Sequence, residues 1–152
     1  MTTVKIAQAI QIAKDYHSDQ VDKSGQPYME HLYAVANGVK TEEEIIVALL
    51  HDMLEDARTD IKTHKEARTF IIQELGFSGS IADALWTLRH APSESYMDYI
   101  ERISKNELAR KVKLSDLAHN MNEQRLEKLD EKTRCRLLKK YVPAKQFLEE
   151  CK

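Results

Sequence analysis

The stretch IIVALLHDMLED, from Ile45 to Asp56, decides the fold. It opens on six consecutive apolar residues, Ile45 to Leu50. Just upstream, Thr41 and Glu44 have the spacing of a capping box, with acidic residues in the first turn where a helix dipole favours them. The segment therefore reads as a helix, and a helix this apolar on all sides belongs in the centre of a core. It ends in four ionisable groups, His51-Asp52 and Glu55-Asp56. Helical neighbours at i and i+4 share a face, which pairs His51 with Glu55 and Asp52 with Asp56. Charge at the end of a buried helix is costly unless it is paired, hydrogen-bonded or bound to metal. The competing reading is a frayed helix end with solvated acids.

Around this centre the chain reads as all-α. Four Gly and three Pro among 152 residues are too few for a sandwich of many tight turns. One domain over residues 1–152, a bundle of about six to eight helices, is expected. Val4 to Ala13 carry the apolar face of a first helix ending near Tyr16. The polar run from Ser18 to Pro27 reads as a loop, and Pro27 suits the first position of a helix reaching Val39. Further helices are expected over 64–75, 80–90, 94–104, 106–122 and 130–150, the last bent at Pro143.

Charge is balanced, with 23 basic against 25 acidic residues and a net charge of -2. That disfavours a nucleic-acid partner, which needs a concentrated basic face, but leaves room for a phosphorylated small ligand in a locally basic pocket. No run approaches the roughly 20 apolar residues of a membrane span. The N-terminal stretch lacks a signal peptide's apolar core. The two cysteines, Cys135 and Cys151, form no metal motif and suit a reducing compartment. These features predict a cytoplasmic protein without nucleic-acid or membrane partners; whether it forms a homo-oligomer is left open.

A second cluster strengthens the metal reading. In Lys111-Val-Lys-Leu-Ser-Asp-Leu-Ala-His-Asn120, Asp116 lies between Leu114 and Leu117 and is expected to point inward, with Asn120 one turn along the same face. Alone, such an Asp would be read as hydrogen-bonding a neighbouring helix. Beside His51-Asp52 it becomes a candidate ligand. A lone helical histidine such as His31 is more often a satisfied or exposed residue than a ligand.

Three segments together carry a family resemblance: Lys23-Ser-Gly-Gln-Pro-Tyr-Met-Glu-His31, Ala48-Leu-Leu-His-Asp-Met-Leu-Glu-Asp56 and Val112-Lys-Leu-Ser-Asp-Leu-Ala-His-Asn-Met121. In this order they resemble the HD metal-dependent phosphohydrolase superfamily, and in detail the hydrolase domain of the RelA/SpoT alarmone enzymes and their small stand-alone relatives. The length leaves no room for the synthetase and regulatory domains of the long members. The resemblance implies His31, His51, Asp52 and Asp116 as metal ligands and Glu55 and Asp56 as the acidic pair that positions or activates water. It also implies Lys23 and Asn120 as residues lining the nucleotide and phosphate site. Two imidazoles with two carboxylates suit Mn²⁺, the first choice here, or Fe²⁺ or Zn²⁺, better than Mg²⁺.

The expected activity is a 3′-pyrophosphohydrolase acting on guanosine-3′,5′-bis(diphosphate). The runners-up are an HD phosphohydrolase for another nucleotide and a non-catalytic nucleotide-binding HD module. The chain departs from the family pattern at Leu32, where Pro is usual, and at Ser115, where Ala is common. It departs more over Trp86 to Tyr99, which looks closer to small bacterial or phage HD proteins. Within that segment Arg89, His90, Tyr96 and Tyr99 are candidates for substrate contact, although Tyr99 suits a core position slightly better. His17 is a candidate support for the site, while His64, His119 and the Lys139-Lys140 pair read as surface groups.

Overall fold

The computed structural model describes residues 2–151. Within them lie nine α-helices: α1 (Val4–His17), α2 (Tyr28–Asn37), α3 (Glu42–Leu50), α4 (His64–Arg68), α5 (Gly79–Thr87), α6 (Tyr96–Ser104), α7 (Glu107–Asn120), α8 (Glu123–Glu127) and α9 (Glu131–Glu150). Two π-helical turns, Met53–Ala57 and Thr69–Glu74, complete the helical structure. The all-α expectation holds, with two of the nine helices only five residues long.

Helix starts follow side-chain chemistry. Thr3, Thr41, Thr63, Ser78, Ser95, Asn106, Asn122 and Asp130 each accept a backbone N–H at the head of their helix. At α3 the box is complete, because the Glu44 carboxylate accepts the backbone N–H groups of Lys40 and Thr41 at 3.0 and 3.3 Å. Only α2 starts without a side-chain cap. Pro27 stands one position before it, with ψ at 131° in place of the helical value expected of a first residue. The loop before Pro27 is ordered by the Asp22 Oδ1 atom, which accepts the N–H groups of Ser24 and Gln26, both at 2.9 Å. Gly25 turns the loop with φ of 83°, a conformation costly for other residues.

The apolar run does become the central helix. Ile46, Val47, Ala48, Leu49 and Leu50 are buried, and α1, α2, α5 and α7 pack around them. The expected 64–75 helix is divided into α4 and the second π turn. The expected 106–122 helix stops at Asn120, and Asn122 then caps the short α8. α9 continues through Pro143 to Glu150.

A close contact joins α2 to α7. Ser115 Oγ donates to the Val35 carbonyl at 2.7 Å, and a Cβ on Gly38 would collide with that hydroxyl. Ser115 therefore serves as a short bridge, and Gly38 is what lets the end of α2 settle on α7.

The α2–α7 contact and the α3 cap should both be measurable as stability. Gly38→Ala lowers unfolding free energy by about 1–3 kcal/mol in urea titration, the usual cost of overpacking. Thr41→Ala costs about 1 kcal/mol in the same assay. Burial works against the Glu44 charge, but the bonds from Lys40 and Thr41 and the nearby Lys111 hold its carboxyl below its ordinary value. Its contribution is therefore present above the unfolded carboxylate range and lost as pH falls. The stability gap between wild type and Glu44→Gln should narrow on acidification below about pH 4.5.

Candidate metal centre

α3 ends abruptly at its functional end. Its regular pattern stops at Leu50, Asp52 sits at φ −99°, ψ 0°, and the π turn begins at Met53. Successive residues of a regular helix diverge by about 100° around the axis. The break allows consecutive residues, His51 and Asp52, to offer ligand atoms to one point. With His31 from α2, their ligand atoms lie within 4.8 Å of one another. Asp116 from α7 closes the group: its Oδ1 is 2.8 Å from His31 Nε2 and 3.4 Å from His51 Nε2, which is itself 3.3 Å from Asp52 Oδ2. His31, His51 and Asp116 are buried, at 3, 5 and 4% exposure.

The hydrogen bonds indicate a cation. His51 Nδ1 lies 2.6 Å from the Ala48 carbonyl, which only accepts, so the ring proton is on Nδ1. In a neutral ring His51 Nε2 is then bare; it is buried and without a hydrogen-bond partner, 3.3 and 3.4 Å from oxygens of Asp52 and Asp116. Lone pairs converging in this way fit a divalent metal, and two nitrogens with two carboxylate oxygens suit a first-row transition metal.

The carboxylates differ in environment. Burial, together with the charges of Asp116 and Asp56, pushes the Asp52 carboxyl well above its ordinary value. Burial acts the same way on Asp116 but is outweighed there by Lys113 and by the adjoining His31 and His51 rings, which hold it well below. Lys113 Nζ donates to Asp116 Oδ2 at 2.9 Å, leaving Oδ1 directed to the histidines. Burial disfavours the Lys113 charge, and the neighbouring Asp116 more than restores it. Asn120 Nδ2 reaches Asp116 Oδ1 at 3.3 Å. Sequence reasoning misses Lys113, although its place three residues before Asp116 on one helix face is the available signal.

A cavity of about 350 Å³ opens onto this group. Of the residues singled out from the sequence, His31, Asp52, Asp116, Lys23, Glu55, His90, Tyr96, Tyr99 and Asn120 line it. His51 lies behind the wall. Glu55 accepts the His90 backbone N–H at 2.8 Å, which fastens the segment before α6 to the acid. Asp56 is exposed and outside the lining, and its side chain acts on Asp52 through its charge. Arg89 also lies outside it, its guanidinium 5.0 Å over the Trp86 ring. Tyr99 is buried and donates to the Leu88 carbonyl at 2.7 Å, so it serves the core as well as the wall. The Tyr96 hydroxyl is buried without a partner.

One expectation about surface groups is overturned, at His119, while Lys140 is exposed as expected but also reaches the cavity. Lys140 lines the cavity 4.4 Å over the Tyr96 ring, because α9 packs against α6. His119 is half-buried with Nδ1 2.7 Å from His31 Nδ1, since it follows Asp116 by three residues and shares its face. Burial, Arg125 and His31 pull His119 down to about 4. His64 is half-exposed, as expected, and bonded to Asp83. His17 is buried, bonded to Gln20 and packed on Tyr28, whose ring lies against His31. In all, Lys23, Lys113, Lys140 and Arg125 bring four cationic side chains to the cavity.

No family model matches the chain. It is 32% identical over 116 residues to a Haemophilus influenzae protein named guanosine-3′,5′-bis(diphosphate) 3′-pyrophosphohydrolase, covering 72% of this chain and 17% of that protein. It is 30% identical over 123 residues to the bifunctional (p)ppGpp synthase/hydrolase SpoT of Escherichia coli K12, covering 77% and 18% respectively. The chain thus spans less than a fifth of the length of these relatives. A solved structure titled "A metazoan ortholog of SpoT hydrolyzes ppGpp and plays a role in starvation responses" superposes with a TM-score of 0.77 at 18% identity. That match covers 99% of this chain and 89% of the other, and it shows a shared fold.

Asp52→Ala should abolish Mn²⁺ binding in isothermal titration calorimetry while far-UV circular dichroism keeps its helical signal. Retained binding at wild-type affinity would remove Asp52 from the ligand set.

Proposed function

From the kinship of this chain with the SpoT/RelA-type (p)ppGpp enzymes, we propose that it is a metal-dependent hydrolase that removes the 3′-pyrophosphate of guanosine-3′,5′-bis(diphosphate). The observation that carries this reading is one cavity in which a cluster of two histidines and two aspartates meets four cationic side chains. A cation site beside a cluster of lysine and arginine groups is suited to a polyphosphate ester. The balanced net charge conceals this, because it does not show that four of the basic groups gather at one cavity.

His31, His51, Asp52 and Asp116 hold the metal, with Mn²⁺ the proposed ion. When bound, it supplies Lewis acidity that neutralises phosphoryl charge and makes water acidic enough to ionise near neutral pH. Lys23, Lys113 and Lys140 balance phosphate charge, and Asn120 offers an amide beside them. Glu55 stands at the cavity wall with one oxygen tied to His90, and so can take the proton of the attacking water. Asp56 supports it electrostatically from outside. The attack forms a P–O bond to water oxygen and breaks the bond to the ribose 3′-oxygen, which takes up a proton from solvent, releasing pyrophosphate and the guanosine 5′-diphosphate. Tyr96 offers its ring and free hydroxyl to the nucleoside. Residues 1–152 act as one hydrolase unit in the cytoplasm, where the exposed Cys135 stays a thiol.

A second reading, hydrolysis of a different nucleotide, draws on one specific observation. The segment from Trp86 to Tyr99, where the chain departs from the alarmone pattern, supplies His90, Tyr96 and Tyr99 to the cavity. Pyrophosphate release from a nucleotide panel with Mn²⁺ decides between them. The expected result is turnover of guanosine-3′,5′-bis(diphosphate), lost on chelation and in Asp52→Ala. Glu55→Gln should lower kcat by about 10²–10⁴. Lys23→Ala should raise KM by about tenfold or more. Wild-type turnover of another nucleotide alone would transfer the assignment to the second reading, and no turnover at all would leave a binding module.

A further inference from the structure

Arg125, on α8, touches two parts of the molecule that are far apart in sequence. Arginine has donors only. Arg125 Nη1 lies 3.3 Å from His119 Nδ1, so that ring nitrogen accepts and carries no proton. His31 Nδ1 stands 2.7 Å from the same atom. Two bare nitrogens repel at that separation, so His31 Nδ1 carries the proton and donates it. His31 Nδ1 thus keeps its proton when Nε2, which lies 2.8 Å from Asp116 Oδ1, gives up its own on binding a metal. This is the arrangement His51 obtains directly from the Ala48 carbonyl, reached in His31 through a neighbouring ring.

The same Nη1 lies 3.1 Å from Asp22 Oδ2. The other oxygen of Asp22 holds the loop from Asp22 to Gln26, with Ser24 and Gln26 donating to it at 2.9 Å. Lys23 sits inside that loop and lines the cavity. One guanidinium therefore meets both the hydrogen bond behind a ligand histidine and the anchor of a phosphate-facing loop.

We propose that Arg125 is a positioning residue that sets the tautomer of the ligand His31 through His119 and links that setting to the Lys23 loop through Asp22. The proposal rests on the metal-centre reading and not on the identity of the substrate. Because only a nitrogen or oxygen lone pair is needed at the His119 Nδ1 position, an asparagine there preserves the relay. A leucine of similar bulk breaks it.

Two measurements on the full chain test this. Mn²⁺ is titrated calorimetrically into wild type, His119→Leu, His119→Asn, Arg125→Met and Asp22→Asn, with the Tm of each metal-free protein recorded. His119→Leu and Arg125→Met should weaken Mn²⁺ binding by about 10- to 100-fold at little-changed metal-free Tm. His119→Asn should restore most of the loss, and Asp22→Asn should fall between wild type and Arg125→Met. Long-range ¹H–¹⁵N spectra of the metal-free wild type should show His31 protonated at Nδ1 and His119 at Nε2, with the His119 assignment lost in Arg125→Met.

Wild-type affinity in both His119→Leu and Arg125→Met, or a His119 proton on Nδ1, would overturn the relay. So would His119→Asn binding as weakly as His119→Leu, since packing alone would then explain the effect. Asp22→Asn at wild-type affinity would remove the loop from it. A wild type that binds Mn²⁺ with these tautomers yet releases no pyrophosphate refutes the substrate reading and leaves the relay standing. A wild type that binds no Mn²⁺ refutes the centre and the relay together.

Discussion

The Asp116 carboxylate is the charge on which the site depends. It is buried in the middle of a helical bundle, where an unpaired carboxylate would be expelled or protonated. Instead each oxygen has its own task. Oδ2 takes the Lys113 ammonium, and Oδ1 faces His31, His51 and Asn120. Lys113 makes the ionised form tolerable, and Oδ1 remains available to draw imidazole nitrogens from two other helices. Asp52 has no such lysine bonded to it. Burial and the neighbouring acids leave it short of positive charge. That imbalance is what the proposed metal would correct, because a bound cation supplies what the side chains lack.

The backbone serves this arrangement in two ways. The end of α3 departs from regular helix at Asp52 and widens into a π turn, as helices often do at functional positions. The α2–α7 contact through Gly38 and Ser115 brings His31 and Asp116 within hydrogen-bonding distance. Both features set groups from different helices against one another, which side-chain flexibility alone would not maintain. The cavity beyond brings Asp52, Glu55 and Asp116 together with Lys23, Lys113, Arg125 and Lys140.

Much of this is legible in the amino-acid sequence. The capping residues Thr41, Ser78, Ser95 and Asp130 stand at helix starts that hydrophobic periodicity also indicates. The apolar run before His51 requires a buried helix, and an HD pair at its end requires a partner for the charge. His31 is different. Nothing local distinguishes it from a surface histidine, and only the family resemblance singles it out. Asp56 and Arg89 show the limit of resemblance and spacing: the π turn leaves Asp56 exposed, and Trp86 holds Arg89 away from the cavity.

What the sequence by itself determined is therefore the longer helices, the central place of α3 and the His51-Asp52 and Asp116 part of the proposed metal cluster. These rest on interactions between residues three or four apart, which one helix carries within itself. Tertiary structure alone decided that His119 backs His31, that Arg125 joins His119 to Asp22, and that Lys140 reaches the cavity from α9. Each of these depends on how far one helix is rotated and shifted against another. That is settled by the packing of the whole core, and no local pattern encodes it.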